Sequence, residues 1–279
     1  VKTLVVCPPT HFDVKYVINP WMAGNEGLVD RQLAADQWHR LMAELAAAGA
    51  NLLELDGCPP ECPDAVFTAN AGLALGDRFV PSYFRYTERA AEEEFFIRKF
   101  IELGFNLTGL TVLGCREHEA FEGAGDALYD PKRGVLWLGH GFRTAYRFKA
   151  ILADALGDLV PRIYPLELVD PNFYHLDTCF CLLDTGHVLW YPGAFSAAAR
   201  CTIRTWYPDA IAVTEADARR FACNAVSIGE HLVLPLISAE LAATLTDLGL
   251  QLHQVDMSQY LRSGGACKCL TLELSQLNR

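Results

Sequence analysis

Short apolar runs alternate along this chain with turns that carry glycine or aspartate, and the order in which they come repeats. Leu4 to Val6 is a buried-strand run closed by Pro8-Pro9, and Arg31 to Ala48 has the Ala- and Leu-rich periodicity of a helix that Gly49 stops. Asn51 to Leu55 reads as a strand. Ala65 to Leu75 and Arg78 to Val80 predict two strands joined by Gly76-Asp77, a hairpin signal, and a helix follows over Glu88 to Leu103.

The same order returns as Ala127-Leu128-Tyr129, a turn from Asp130 to Gly134, the run Val135 to Leu138, and a helix over Arg143 to Leu156. It returns again as Cys179 to Leu183, Asp184-Thr185-Gly186, Val188 to Tyr191, and a helix near Phe195 to Trp206. A further copy is Ala225 to Ile228, Gly229-Glu230, His231 to Pro235, and a helix over Ser238 to Leu248. Strand, tight turn, strand, helix, strand therefore recurs about four or five times without sequence identity, which predicts radial repetition of a small α/β unit. No linker or break in composition marks a second domain, so one domain over residues 1–279 is expected.

Composition narrows the function. Hydrophobic residues make up 51% and charged residues 20%, enough apolar material for a core and no signature of disorder. The formal net charge is −11, from 23 Lys plus Arg against 34 Asp plus Glu, and no basic run suggests a nucleic-acid partner. The ten cysteines are scattered, several of them inside apolar runs such as Thr178 to Leu183, which does not fit a disulfide scaffold and favours reduced thiols in a cytoplasmic protein. The first strand is too short for a signal peptide, and no apolar run approaches the ~18 residues of a membrane span, so neither export nor a membrane is expected.

Polar islands interrupt the apolar strands at one place in each unit, the start of the first hairpin strand. They are Phe67-Thr68-Ala69-Asn70, Phe121 to Asp126, and Tyr174 to Cys179. Equivalent ends of repeated strands converge on one axis, so islands far apart in sequence are expected to face one pocket. Cys267, in Ser263-Gly264-Gly265-Ala266-Cys267-Lys268-Cys269, falls at the same place in the last unit. A late thiol with His175 and several carboxylates for partners points to covalent catalysis. Cys269, two residues on, would share the strand face of Cys267 and is read as core. His175, Asp177, Cys179 and Cys181 alternate as metal ligands do, but no CxxC pair or HExxH helix accompanies them, and no metal is expected. The glycine-rich islands do not open helices after strands, which argues against a dinucleotide. No cofactor is called for.

Taken in order, Phe67 to Asn70, Arg89, Phe121 to Asp126, Gly141-Phe142-Arg143-Thr144, His175-Leu176-Asp177 and Gly264 to Cys267 span nearly the whole chain and resemble the pentein superfamily of guanidino-group-modifying enzymes. The resemblance implies the pentein fold, a five-bladed α/β propeller with pseudo-fivefold symmetry. It also implies a small guanidino substrate such as L-arginine. A guanidinium is a poor, resonance-stabilised electrophile, so a soft nucleophile suits attack on its carbon, and Cys267 is the candidate. Glu122 and Asp177 would accept the guanidinium N–H donors, with Asp126 as support. His175 would protonate the departing nitrogen and later activate water.

In the family, Arg89 and Arg143 would grip the substrate α-carboxylate, with Arg85 a competitor for Arg89, while Phe67 would line the substrate pocket. The stretch Val14 to Met22 is similar to the start of the arginine dihydrolases of cyanobacterial type, which puts Asn19 near the substrate. Asn70 also matches that group, because arginine deiminases carry an aspartate there. An amide donates N–H to a ureido oxygen where a carboxylate repels it, so citrulline would remain a substrate and the reaction would run on to ornithine. A deiminase that stops at citrulline, another guanidine hydrolase, an amidinotransferase and a non-catalytic binding module are the alternatives. The sequence is compatible with a homo-oligomer.

Overall fold

The structure is a computed structural model that describes residues 1–109 and 116–274. Strand β1 (Thr3–Val6) runs parallel to β2 (Asn51–Glu54), and the chain crosses between them through helix α1 (Arg31–Ala47), whose first turn Asp30 caps through the Leu33 N–H. The next unit holds β3 (Gly72–Leu75), β4 (Arg78–Pro81), α2 (Ala90–Glu102) and β5 (Asn106–Leu107). Then come β6 (Ala127–Asp130), β7 (Val135–His140), α3 (Phe148–Leu156) and β8 (Ile163–Glu167), followed by β9 (Phe180–Leu182), β10 (Val188–Trp190), α4 (Ala197–Trp206) and β11 (Ile211–Ala212). The last full unit is β12 (Val226–Ile228), β13 (His231–Pro235), α5 (Ala239–Asp247) and β14 (Gln251–Val255).

In each sheet the middle strand pairs antiparallel with one neighbour and parallel with the other, so the helix of each unit is a crossover between parallel strands. The short strand β15 (Leu272–Glu273) closes the ring by pairing antiparallel with β1, with Leu272 opposite Val5. The fifth sheet therefore has the order β15-β1-β2 and takes strands from both ends of the described chain. This is the five-bladed α/β propeller that the repeat and the family resemblance imply.

Aromatic residues fill the space between sheets and helices. Phe79 stacks on Phe100 and Phe121 on Phe148, with ring centroids 3.7 Å and 4.4 Å apart. Buried Trp137 donates its indole N–H to Tyr207 Oη at 2.8 Å, and Tyr207 in turn donates to Asp130. The nine described cysteines are all unpaired, and Cys115 lies outside the described residues. Among the described residues no helix is long and apolar enough to cross a membrane.

Two elements differ from the pattern-based expectation, and both differences shape the centre of the ring. Residues 65–71 are two 3₁₀ turns, Pro63–Val66 and Thr68–Ala71, rather than the first half of a strand. The counterparts of the second turn, Gly123–Gly125 and Leu176–Thr178, stand before β6 and β9, so the polar islands are tight turns that meet around the axis. Arg143 lies in a loop ahead of α3 rather than in its first turn. Gly141, at φ +130°, bends the chain so close to Leu168 that a β-carbon would come within 2.8 Å of its carbonyl oxygen.

Ring closure rests on very few residues, and Leu272, fully buried against Val5 and Phe95, carries much of it. Leu272→Ala is expected to cost about 2–5 kcal/mol, read as a lowered midpoint in urea unfolding.

Candidate active site

The turns at the inner ends of the blades surround a small cavity with room for about 10 Å³ of water, close to one molecule. Glu122 sits beside it, fully buried, on the residue before the Gly123–Gly125 turn. Its Oε2 accepts from Arg143 Nη1 at 2.8 Å and from His175 Nε2 at 2.7 Å, and its Oε1 accepts the Arg85 backbone N–H at 3.2 Å. Burial alone would raise this carboxyl, but the guanidinium of Arg143 and the hydrogen bond from His175 outweigh it and hold Glu122 well below the usual carboxylate range. Burial pushes His175 down to about 4 in spite of the Glu122 carboxylate. At neutral pH the ring is therefore a neutral imidazole whose Nε2–H donates to Glu122, which leaves Nδ1 as the basic nitrogen.

Arg143 lies between the rings of Tyr86 and Tyr174, at 4.9 Å and 4.6 Å from their centroids, and donates from Nη2 to the Ile18 carbonyl. Arg89 enters the cavity from the other side. It forks onto buried Glu92 through Nε at 2.9 Å and Nη2 at 2.7 Å, and Nη1 donates to Asn70 Oδ1 at 2.9 Å. That bond fixes the Asn70 amide, so Nδ2 is its donor side and reaches the Glu122 carbonyl at 3.1 Å. Gly125 leaves the room for this, since a β-carbon there would lie 2.4 Å from Asn70 Nδ2. Arg85 meets the site through its backbone N–H to Glu122, so Arg89 is the arginine side chain of that segment lining the cavity.

Phe67 and Asn19 line the cavity as well. Phe67 stands edge-on to Phe12 and covers Gly265, where a β-carbon would be 2.4 Å from the ring. The Asn19 amide is committed to the loop it stands in. Its oxygen accepts the Trp21 and Met22 N–H groups, and its nitrogen donates to the Ser263 carbonyl.

The expectation for the thiol is corrected. Cys267 is fully buried in the apolar cluster of Leu4, Trp38 and Leu41 and does not line the cavity; Cys269 touches the same cluster but also opens onto the cavity. The reason is backbone geometry. Residues 266–271 form a helical turn rather than a strand, with Leu270 N–H bonded to the Ala266 carbonyl and Thr271 N–H to the Lys268 carbonyl. Neighbours on a turn of 3.6 residues are about 100° apart, so residues two apart face nearly opposite ways instead of the same way. Asp177 goes with Cys269. It is fully buried and does not line the cavity, and its Oδ2 accepts from the Cys269 thiol at 3.3 Å while Oδ1 has no hydrogen-bond partner. Burial raises Asp177 to about 7.

The ring thus brings together Glu122, His175, Asp177, Asn70, Arg89, Arg143, Asn19 and Phe67, with Cys269 in place of Cys267. Sequence reasoning missed Asp64 and Tyr174. Asp64 is a buried carboxylate that accepts from Tyr16 and Ser263, and Tyr174 donates to the Gly264 carbonyl at 2.7 Å. Asp64 is a carboxylate just ahead of the Phe67 to Asn70 island and Tyr174 opens the Tyr174 to Cys179 island, and that position was the available signal. Among the described residues no group of three or more His, Cys, Asp or Glu is arranged to hold a metal ion.

The family model for eukaryotic N,N dimethylarginine dimethylhydrolase matches residues 17–276. The bifunctional arginine dihydrolase/ornithine cyclodeaminase ArgZ of Synechocystis is 40% identical over 275 residues, 98% of this chain, but the match covers 38% of ArgZ itself. The N(G),N(G)-dimethylarginine dimethylaminohydrolase of Mycobacterium tuberculosis is 40% identical over 98% of this chain and 86% of its own length. The crystal structure of the N-terminal domain of ArgZ, described as an arginine dihydrolase from the ornithine-ammonia cycle in cyanobacteria, superposes with a TM-score of 0.90 at 39% identity and covers 99% of both chains. Matched over nearly its whole described length by sequence and by fold, the chain belongs to the pentein superfamily of guanidino-group-modifying enzymes.

Proposed function

We propose that this chain is an arginine dihydrolase, a single catalytic domain that hydrolyses the guanidino group of L-arginine to ornithine, carbon dioxide and two ammonia with no cofactor. The observation that carries the reading is Asn70, an amide pinned by Arg89 that lines a cavity shared with Cys269 and His175 beside the Glu122 network. The N-terminal domain of ArgZ supports it, since that domain is described as an arginine dihydrolase and aligns with this chain end to end. The match covers 38% of ArgZ, so only the dihydrolase chemistry named for its N-terminal domain is carried over.

In this mechanism the guanidinium sits between Glu122 and Asp177, whose carboxylates accept its N–H donors and offset its desolvation. The Cys269 thiolate attacks the central carbon, and the bond to a terminal nitrogen breaks. His175 carries the proton lost by the thiol to that nitrogen, which leaves as ammonia. The neutral imidazole then takes a proton from water, which adds to the thiouronium carbon, and the C–S bond breaks to give citrulline. Asn70 donates to the ureido oxygen and keeps citrulline in place. A second attack expels ornithine, and water releases the carbamoyl group as carbon dioxide and ammonia. Two waters are consumed per arginine. Arg89 and Arg143 offer their remaining N–H donors to the α-carboxylate, and Arg143 exchanges its bond to Glu122 for one to the substrate.

The match to dimethylarginine hydrolases favours a second reading, loss of dimethylamine from a methylated arginine. Amino-acid and amine analysis after incubation with each substrate separates the two. Ornithine with two ammonia per arginine is expected, whereas accumulation of citrulline, or turnover of dimethylarginine alone, rejects dihydrolysis.

Cys269→Ser is expected to lower turnover by more than about 10³-fold while substrate still binds, and Cys267→Ser to keep turnover near the parent level. The opposite pattern in steady-state assays restores Cys267 as the nucleophile. Asn70→Asp sets a carboxylate against the ureido oxygen and should shift the products toward citrulline. An unchanged citrulline-to-ornithine ratio removes the role given to Asn70.

A further inference from the structure

Cys269 is held by a residue that the proposed mechanism does not use. Asn224 is fully buried on the short link before β12. Its Oδ1 accepts the Cys269 backbone N–H at 3.1 Å, and its Nδ2 donates to Cys269 Sγ at 3.0 Å and to the Asp177 carbonyl at 3.0 Å. The orientation of the amide is fixed by its partners. A backbone N–H only donates, so the oxygen faces it, and the NH₂ group must face the sulfur.

We infer that Asn224 is a positioning residue that aims Cys269 Sγ and, by donating to it, favours the ionised sulfur; the inference rests on Cys269 being the nucleophile proposed above. Sulfur in a thiol is a weak acceptor, whereas a thiolate takes a charge-assisted hydrogen bond, so a fixed donor stabilises one protonation state over the other. A backbone hydrogen bond at Ala266 acts in the same direction, and the other neighbours do not. Burial and the Asp177 carboxylate push the Cys269 thiol up, and the Tyr174 phenol is neutral and donates elsewhere. Lys268, the preceding residue, lines a separate cavity, and Arg143 is taken up by Glu122 and the Ile18 carbonyl. Among the described residues, Asn224 is thus the side chain that donates to this sulfur.

The backbone around Asn224 is built at a cost. Phe221, which accepts the Asn224 N–H at 2.8 Å, has φ +63° and is the sole non-glycine residue at positive φ among those described. A bulky aromatic side chain there is an outlier held in place by its surroundings, here the edge contact with Trp21 at 4.9 Å. The Asn224 carbonyl also accepts the Lys268 N–H, so the backbones of the two segments stay joined when the side chain is changed.

The test needs no turnover. The rate of Cys269 alkylation by iodoacetamide is followed against pH by peptide mass spectrometry in the parent, Asn224→Ala and Asn224→Asp. The alanine removes the donor, and the aspartate keeps the shape but puts an acceptor against the sulfur. The midpoint is expected to rise by about one unit in Asn224→Ala and further in Asn224→Asp. A midpoint unchanged in both folded variants overturns the inference, even where turnover falls. Should neither variant fold, the side-chain amide protons of Asn224 in the parent are expected to titrate by NMR with the midpoint of Cys269 alkylation, and signals that ignore that midpoint overturn it equally. Full activity of Cys269→Ser defeats the proposed function instead, which keeps the two failures apart.

Discussion

The centre of this ring depends on keeping several charged side chains together while they are buried. Glu122 is the pivot, because one of its oxygens serves Arg143 and His175 at once, and these three come from separate turns and loops around the axis. Removing charged groups from water is expensive, and each is tolerated only while its partners stay in reach. Arg89 and Glu92 form a second such pair, joined to the first through Asn70. The turns are therefore held in register by electrostatics as well as by packing.

Much of the architecture was legible in the chain because each hairpin is punctuated by a glycine- or aspartate-bearing turn, and each crossover helix has its own periodicity. The family resemblance supplied the fivefold count. What was not legible follows from backbone geometry that hydropathy does not encode. Ala65 to Ala71 is apolar enough to read as strand but coils into 3₁₀ turns, whose Thr68 and Asn70 side chains reach the Val5 and Glu122 carbonyls of other blades. Arg143 reads as the first turn of a helix, yet the loop that frees it is dictated by the tight passage of Gly141 past Leu168.

The same limit explains the thiol. Two cysteines separated by one lysine share a face only if the segment is extended, and the choice between them depended entirely on that assumption. Gly264, at φ +80°, and Gly265, pressed under Phe67, start a helical turn instead. Asn224 escaped notice for a related reason. Its surroundings, Ala222-Cys223-Asn224-Ala225, carry no charge, so the fourth island did not stand out as polar, although it falls where the other units place theirs.

Closure of the ring by β15 on β1 also bears on the order of folding. Four blades are built from segments close in sequence, whereas the fifth joins the two ends of the described chain, and contacts between distant segments bear the largest loop-closure entropy. The carboxylates, arginines and His175 belong to blades that form from local contacts, but Cys269 is delivered with the strand that completes the circle. A partly folded chain on this route holds the charged groups of the centre without Cys269, so this sulfur meets them only once the whole molecule has closed.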